Sequence, residues 1–272
     1  PTGVITKLQT ANLVKNNTVS NSATYTTVVE SLQVYNPTPA TGGSSGDTTE
    51  DIRLNSIANS SSQLRTVSRE DYIIRALSMP AKFGRIAKAY IVRDDLTSGR
   101  NSRRDNPNAL NLYTLAYDQN KNLTELNLAS KENLATYLEE YRMLTDAINI
   151  KDAYVINFGI NFDIVAFKQF SNEQVLLDCI TALKDYFNID NWQINQPIVL
   201  NEVDNVIGAV KGVQNVEHVE LVNRAGTAAG YSEYSYDFNS ATINNVLYPS
   251  LDTSIFELKY PNTDLKGRIT KY

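Results

Sequence analysis

The chain has 272 residues, 42% hydrophobic and 20% charged, enough apolar material for a core in one or two domains. One histidine and one cysteine, His218 and Cys179, leave no internal disulfide and cannot build an all-His/Cys metal cage. No apolar run approaches the ~18 residues of a membrane-spanning helix, and the start, Pro1-Thr2-Gly3, lacks the regions of a signal peptide.

A start without methionine reads as that of a fragment, and a lone cysteine fits a reducing cytosol. The net charge of −5 is unevenly spread: residues 1–106 carry 13 Lys and Arg against 9 Asp and Glu, and 107–272 carry 12 against 21. Such polarity suits head-to-tail pairing with copies or with oppositely charged neighbours; the bland alternative is a solvated surface.

Residues 1–36 read as the end of a β-rich domain, because Val28, Leu32 and Val34 share parity within a Thr/Val/Tyr-rich run. Residues 37–67 read as a linker and a polar helix. Pro37, Pro39, Gly42, Gly43 and Gly46 break both helical and strand periodicity and form a candidate hinge, and Asp47–Ser61 opens with the acidic and hydroxyl residues of a helix start.

An α+β domain is expected over 68–224. Ser68 and Asp71 have capping-box spacing ahead of an apolar face of Tyr72, Ile73, Ala76 and Leu77. Pro80 ends that helix, and Gly84 leads to a strand at Ile86–Val92. A loop containing Arg100, Arg103 and Arg104, a candidate interface, precedes a strand at Leu110–Tyr117. Ser130 is the expected cap of a helix with Leu134, Tyr137, Leu138 and Tyr141 on its core face. Tyr154–Phe167 alternates with period two, placing Tyr154, Ile156, Phe158, Ile160, Phe162 and Ile164 opposite Asn157, Asn161 and Asp163; its length predicts a bend or bulge near Gly159. Ser171 and Gln174 read as a second capping box, Asn201 as the cap of a helix ended by Gly212, and Val216–Val222 as a strand.

Residues 225–272 read as an extended, irregular arm. Its aromatic side chains Tyr231, Tyr234, Tyr236, Tyr248, Phe256 and Tyr260 are candidate interface residues, with packing onto their own domain as the alternative. The expected fold class is therefore α+β, with mixed or antiparallel sheets and helices packed on one side, a partial β-rich segment before it and an arm after it.

Chemistry-bearing constellations are absent from the sequence pattern. His218 falls on the exposed parity of a strand, and Cys179 on an apolar helix face where it acts as a small hydrophobe. Asp94 with Asp95, and Glu139 with Glu140, are adjacent residues that point apart rather than converge. The glycines of the linker lack phosphate-loop order, and acidic residues surround the arginine loop of an acidic chain. No catalytic, cofactor or metal site, no nucleic-acid partner and no membrane insertion are expected.

Several ordered stretches carry a resemblance. They are Asn36, Pro37, Ala40, Gly42 and Gly43; Glu50, Ile52 and Arg53; Thr66–Tyr72 (TVSREDY); Phe83, Gly84, Ile86 and Ala89; Asn195–Val222; and Val246–Arg268. In this order they resemble the C-terminal portion of the baseplate wedge subunits of T4-like contractile-tailed phages, the baseplate J-like family. The resemblance implies a structural protein of the virion tail baseplate, assembled in the host cytoplasm. Its partners would be a second copy, other wedge proteins and neighbouring wedges in a sixfold ring whose rearrangement triggers sheath contraction. The upstream helices that build the core bundle in T4-type subunits are absent from this chain. The alternative function is a tail-associated carbohydrate or receptor binding module using the tyrosines near the end.

Overall fold

The computed structural model describes residues 65–93 and 109–270, with isolated helical positions at Thr26, Thr27, Ser31, Thr49, Ile52, Arg53, Ser56, Ile57 and Ser60. Two compact units are distinguished, Pro1–Thr41 and Gly42–Tyr272. In the first, Thr26, Thr27 and Ser31 are helical where β-propensity and parity predicted strand. The same stretch places Tyr25, Val28, Val29 and Leu32 at i, i+3, i+4 and i+7, a helical period that outranks propensity. The candidate hinge residues lie outside the described residues.

The second unit is α+β, with mixed and antiparallel pairing. Its first layer begins with helix α1 (Arg69–Leu77), followed by a 3-10 turn at Ala81–Phe83 and strand β1 (Lys88–Arg93). Strand β2 (Ala109–Tyr117) runs antiparallel to β1, with Lys88 opposite Leu115 and Arg93 opposite Leu110. Strand β3 (Leu123–Thr124) folds back on the end of β2 through a turn in which Asp118 Oδ1 accepts from the backbone N–H of Asn120 and Asn122. After helix α2 (Leu128–Glu139), strand β4 (Ala147–Asp152) lies parallel to β2 on its other side. Tyr72, Ala76, Ile91, Leu112, Ala116, Leu134 and Leu138 form one apolar core shared by α1, α2 and this sheet. The cap of α2 is Asn127, not Ser130: the helix starts at Leu128, so the Ser130 N–H is the group being capped, 2.7 Å from Asn127 Oδ1.

Only Ala153 separates β4 from strand β5 (Tyr154–Ala166), the long central strand of a second sheet. Helix α3 (Asn172–Tyr186), strand β6 (Ile198–Val199), helix α4 (Leu200–Gly208) and strand β7 (Val213–Arg224) follow. β7 pairs antiparallel with β5. Phe158, Ile160, Phe162 and Ile164 share a core with Val175, Cys179 and Leu183 of α3 and with Val203 and Ile207 of α4. Each such fully buried large side chain is worth about 1.5–3 kcal/mol relative to exposure.

Two further cap readings are corrected here. Ser171 occupies the N-cap position of α3 without a side-chain cap bond, and Gln174 instead donates to Asp178 one turn on. β6 runs directly into α4, so Val199 is the cap residue, and Asn201 Oδ1 accepts from Asn245 Nδ2. Gly159 pairs regularly with Val222; the register shifts lie further along, opposite Asp163/Ile164 and Val165/Ala166, where β7 inserts Glu217 and Gln214. A Cβ at Gly159 would stand 2.7 Å from the Asp264 carbonyl oxygen, so close backbone approach, not a bend, explains that glycine.

The largest correction concerns 225–270. Beyond a 3-10 turn at Thr227–Ala229 come helix α5 (Phe238–Ala241), strands β8 (Thr242–Ile243), β9 (Val246–Leu247) and β10 (Ser254–Glu257), helix α6 (Pro261–Asp264) and strand β11 (Leu265–Ile269). β10 and β11 both pair parallel with β5, at Tyr154–Asn157 and Ile160–Ile164, with α6 inserted between them. β6, β9 and β8 form a small antiparallel sheet, closed by the turn Asn244-Asn245, both with positive φ. The expected arm is thus part of the body, because β9 has its hydrogen-bonding partner β6 some fifty residues upstream and β10 and β11 have theirs in β5 about a hundred residues upstream.

Candidate interaction surface

The tyrosines read as interface residues turn largely inward. Tyr231 donates to Asp264 Oδ1 at 2.6 Å, and burial with that carboxylate pushes its phenol up to about 12. The Tyr234 ring meets Tyr154 edge-on, with centroids 4.8 Å apart. Tyr236 donates to the Tyr248 carbonyl at 3.0 Å and packs against Phe238 and Phe256. Phe256 is 1% exposed and belongs to the core, which removes it as a direct contact. Tyr248 and Tyr260 keep 49% and 39% of their surface exposed, although the Tyr260 hydroxyl reaches the Gly230 carbonyl. Arg100, Arg103 and Arg104 lie outside the described residues.

Buried polar groups in this region are held by structure. Glu257, 2% exposed, accepts from the Leu123 N–H at 2.6 Å and from Asn157 Nδ2 at 2.8 Å, and burial raises its pKa above the carboxylate norm. Asn157 Oδ1 accepts in turn from the Ser232 N–H, whose hydroxyl donates to the Val155 carbonyl. One carboxylate thereby joins β3, β5, β10 and the Ser232 segment. His218 is exposed, and Cys179 is fully buried with its thiol pushed up to about 11 by burial. Among the described residues, no group of three or more His, Cys, Asp or Glu side chains converges as a metal site.

A different surface draws attention at the start of α1. Ser68 Oγ accepts from the Asp71 N–H, and Asp71 Oδ2 accepts from the N–H groups of Ser68 and Val67. The Ser68 N–H bond leads the causes that hold the Asp71 carboxyl below its ordinary range. This capping box fixes the entry of the chain and leaves Val67 outside at 61% exposure. Across from it, the end of α2 is anchored by Thr66, whose N–H and hydroxyl both donate to the Tyr141 carbonyl, and by the Arg75 guanidinium 4.6 Å above the Tyr141 ring.

Between these elements lies a cleft of about 180 Å³ lined by Val67, Ser68, Arg69, Tyr72, Arg93, Leu110, Met143 and Asp146. Tyr72, 1% exposed, donates to Asp146 Oδ2 at 2.7 Å, and burial raises its pKa. Met143 is 46% exposed and Leu144 96%. Sequence reasoning did not reach this cleft, although Met143-Leu144, an apolar pair just past a helix end in polar surroundings, was a readable sign.

No family model matches the chain, and no curated protein matches it. Among solved structures it is similar to a chain in the cryo-EM structure of the anti-feeding prophage baseplate, six-fold symmetrised, at 12% identity and a TM-score of 0.47. The match covers 83% of this chain and 45% of that one, so the chain spans less than half the length of the structure it matches.

Proposed function

We propose that this chain is a structural component of a phage tail baseplate wedge, the C-terminal portion of a J-like subunit. It acts by forming dimeric and inter-wedge contacts and takes part in ring rearrangement on sheath contraction. The observation that supports this reading is the order of the resembling stretches along the sequence; from Thr66 onward they fall on α1, β1, β6 to β7 and β9 to β11. TVSREDY spans the approach, cap and first turn of α1, and Asn195–Val222 spans β6, α4 and most of β7. The polar side chains of the interior support the same reading, since Glu257, Asn157 and Asp264 bind neighbouring segments of their own chain. The protein works through surfaces, without catalysis, and its partners are a second copy, other wedge proteins and neighbouring wedges. Residues 36–46 are the proposed hinge between arrangements.

The test is sedimentation of the chain alone and mixed with the other wedge proteins of its phage. Co-sedimentation in a complex is the expected result. A monomer indifferent to every wedge protein, or tails that form and contract normally without the subunit, would overturn the reading. Specific glycan binding abolished by substituting the exposed Tyr248 or Tyr260 would favour the receptor-binding alternative instead.

A further inference from the structure

We propose that the cleft beside α1 docks an acidic segment of a partner protein, which inserts one aliphatic side chain between Val67 and Met143. The inference stands independently of the baseplate reading. A volume of about 180 Å³ is that of a single large side chain, and Leu110 gives the cleft an apolar patch among polar lining residues. The rim extends this character outward, with Val67 61% and Met143 46% exposed. Exposed aliphatic groups collected around a depression mark contact sites more often than scattered ones do.

Charge selects the class of occupant. Arg69 and Arg93 stand on the rim, exposed, and neither forms an ion pair among the described residues. Hydrogen bonds from neutral donors do not cancel the acids nearby, but each has a guanidinium beside it: Arg142 donates to the Asp146 backbone carbonyl, and, behind the Ser68 N–H bond, the charge of Arg75 helps hold the Asp71 carboxyl below its ordinary range. The helix start itself is capped from within, so attraction for an anion here comes from the two guanidinium groups. A carboxylate on the incoming segment can pair with either arginine in the forked geometry those groups favour. The cleft offers aliphatic side chains and a buried tyrosine instead of an exposed stacking platform, which disfavours a nucleic-acid strand.

The experiment uses fluorescently labelled octapeptides and the full chain. One peptide carries a leucine flanked by glutamates, a second replaces the glutamates with lysines, and a third replaces the leucine with serine. The first should bind about tenfold more tightly than the second, the worth of two exposed ion pairs. The double variant Arg69→Glu/Arg93→Glu, with an unchanged melting temperature, should reverse that order. Met143→Ser should weaken the leucine peptide and leave the serine peptide unaffected. Equal binding of acidic and basic peptides, no binding of any, or binding untouched by the double variant would overturn the proposal. So would self-association of the chain that the double variant dissolves, since the occupant would then be a second copy.

Discussion

Lys88 places an ammonium where the chain has almost no water, at 5% exposure, with its Nζ donating to the Asp190 carbonyl at 2.9 Å. Burial drives its pKa down to about 8 from 10.5, against the opposing pull of the Asp190 carboxylate. Below about pH 8 both folded and unfolded chains hold this proton, and the folded state bears the cost of the buried charge. Between about 8 and 10.5 the folded amine is neutral while the unfolded one remains charged, so this group's contribution to stability rises with pH across that window. Lys88→Met should therefore stabilise the protein at pH 7 by roughly 1–3 kcal/mol, an apolar chain of similar volume replacing a buried charge. That advantage should shrink as the pH is raised from 8 to 10. Urea melts of both proteins across the range check it, and a pH-independent difference would show that Lys88 is not the titrating group.

Among the elements, α1 depends on a local device. Ser68 satisfies the Asp71 N–H while the Asp71 carboxylate answers those of Ser68 and Val67. Ser68→Ala should cost about 1 kcal/mol, read as a lowered urea midpoint, whereas Ser171→Ala at the start of α3, where no cap bond exists, should cost markedly less. The two serines looked alike in the sequence because capping-box spacing records only which partners are near. Whether the hydroxyl meets the N–H depends on the angle at which the chain enters the helix, which the preceding turn sets. Ser130 and Asn201 were misread for a related reason, their helices starting three residues and two residues earlier than apolar periodicity indicates. The Asn244-Asn245 turn carried a signal that the reading of 225–272 as an arm passed over, since two asparagines between Ile243 and Val246 are suited to the paired positive φ values of a tight hairpin. The cleft by α1 was not, because Val67, Arg93 and Met143 meet only once the first sheet and its helices have packed.

For the molecule as a whole, the decisive feature is the completion of the second sheet by its last segments. β10 and β11 cover one side of β5 while β7 covers the other, and Phe256 adds its ring to the core beside Phe158 at 6.4 Å. Alternation along β5 revealed the core face but not its neighbours, because parallel pairing across a hundred residues leaves no short-range signature. The irregular look of 225–270 arose from strands of two to five residues, too short to show a period. Truncation after Asp252 should accordingly abolish cooperative unfolding of the second sheet and expose apolar surface to dye. A truncated chain that melts like the parent would mean that these strands are dispensable.

The placement of β5 also shapes how the protein comes off the ribosome. When that strand emerges, its antiparallel neighbour is still some fifty residues from synthesis and its parallel neighbours about a hundred. Phe158, Ile160, Phe162 and Ile164 must wait through that interval without their sheet, during which chaperones have the most to shield.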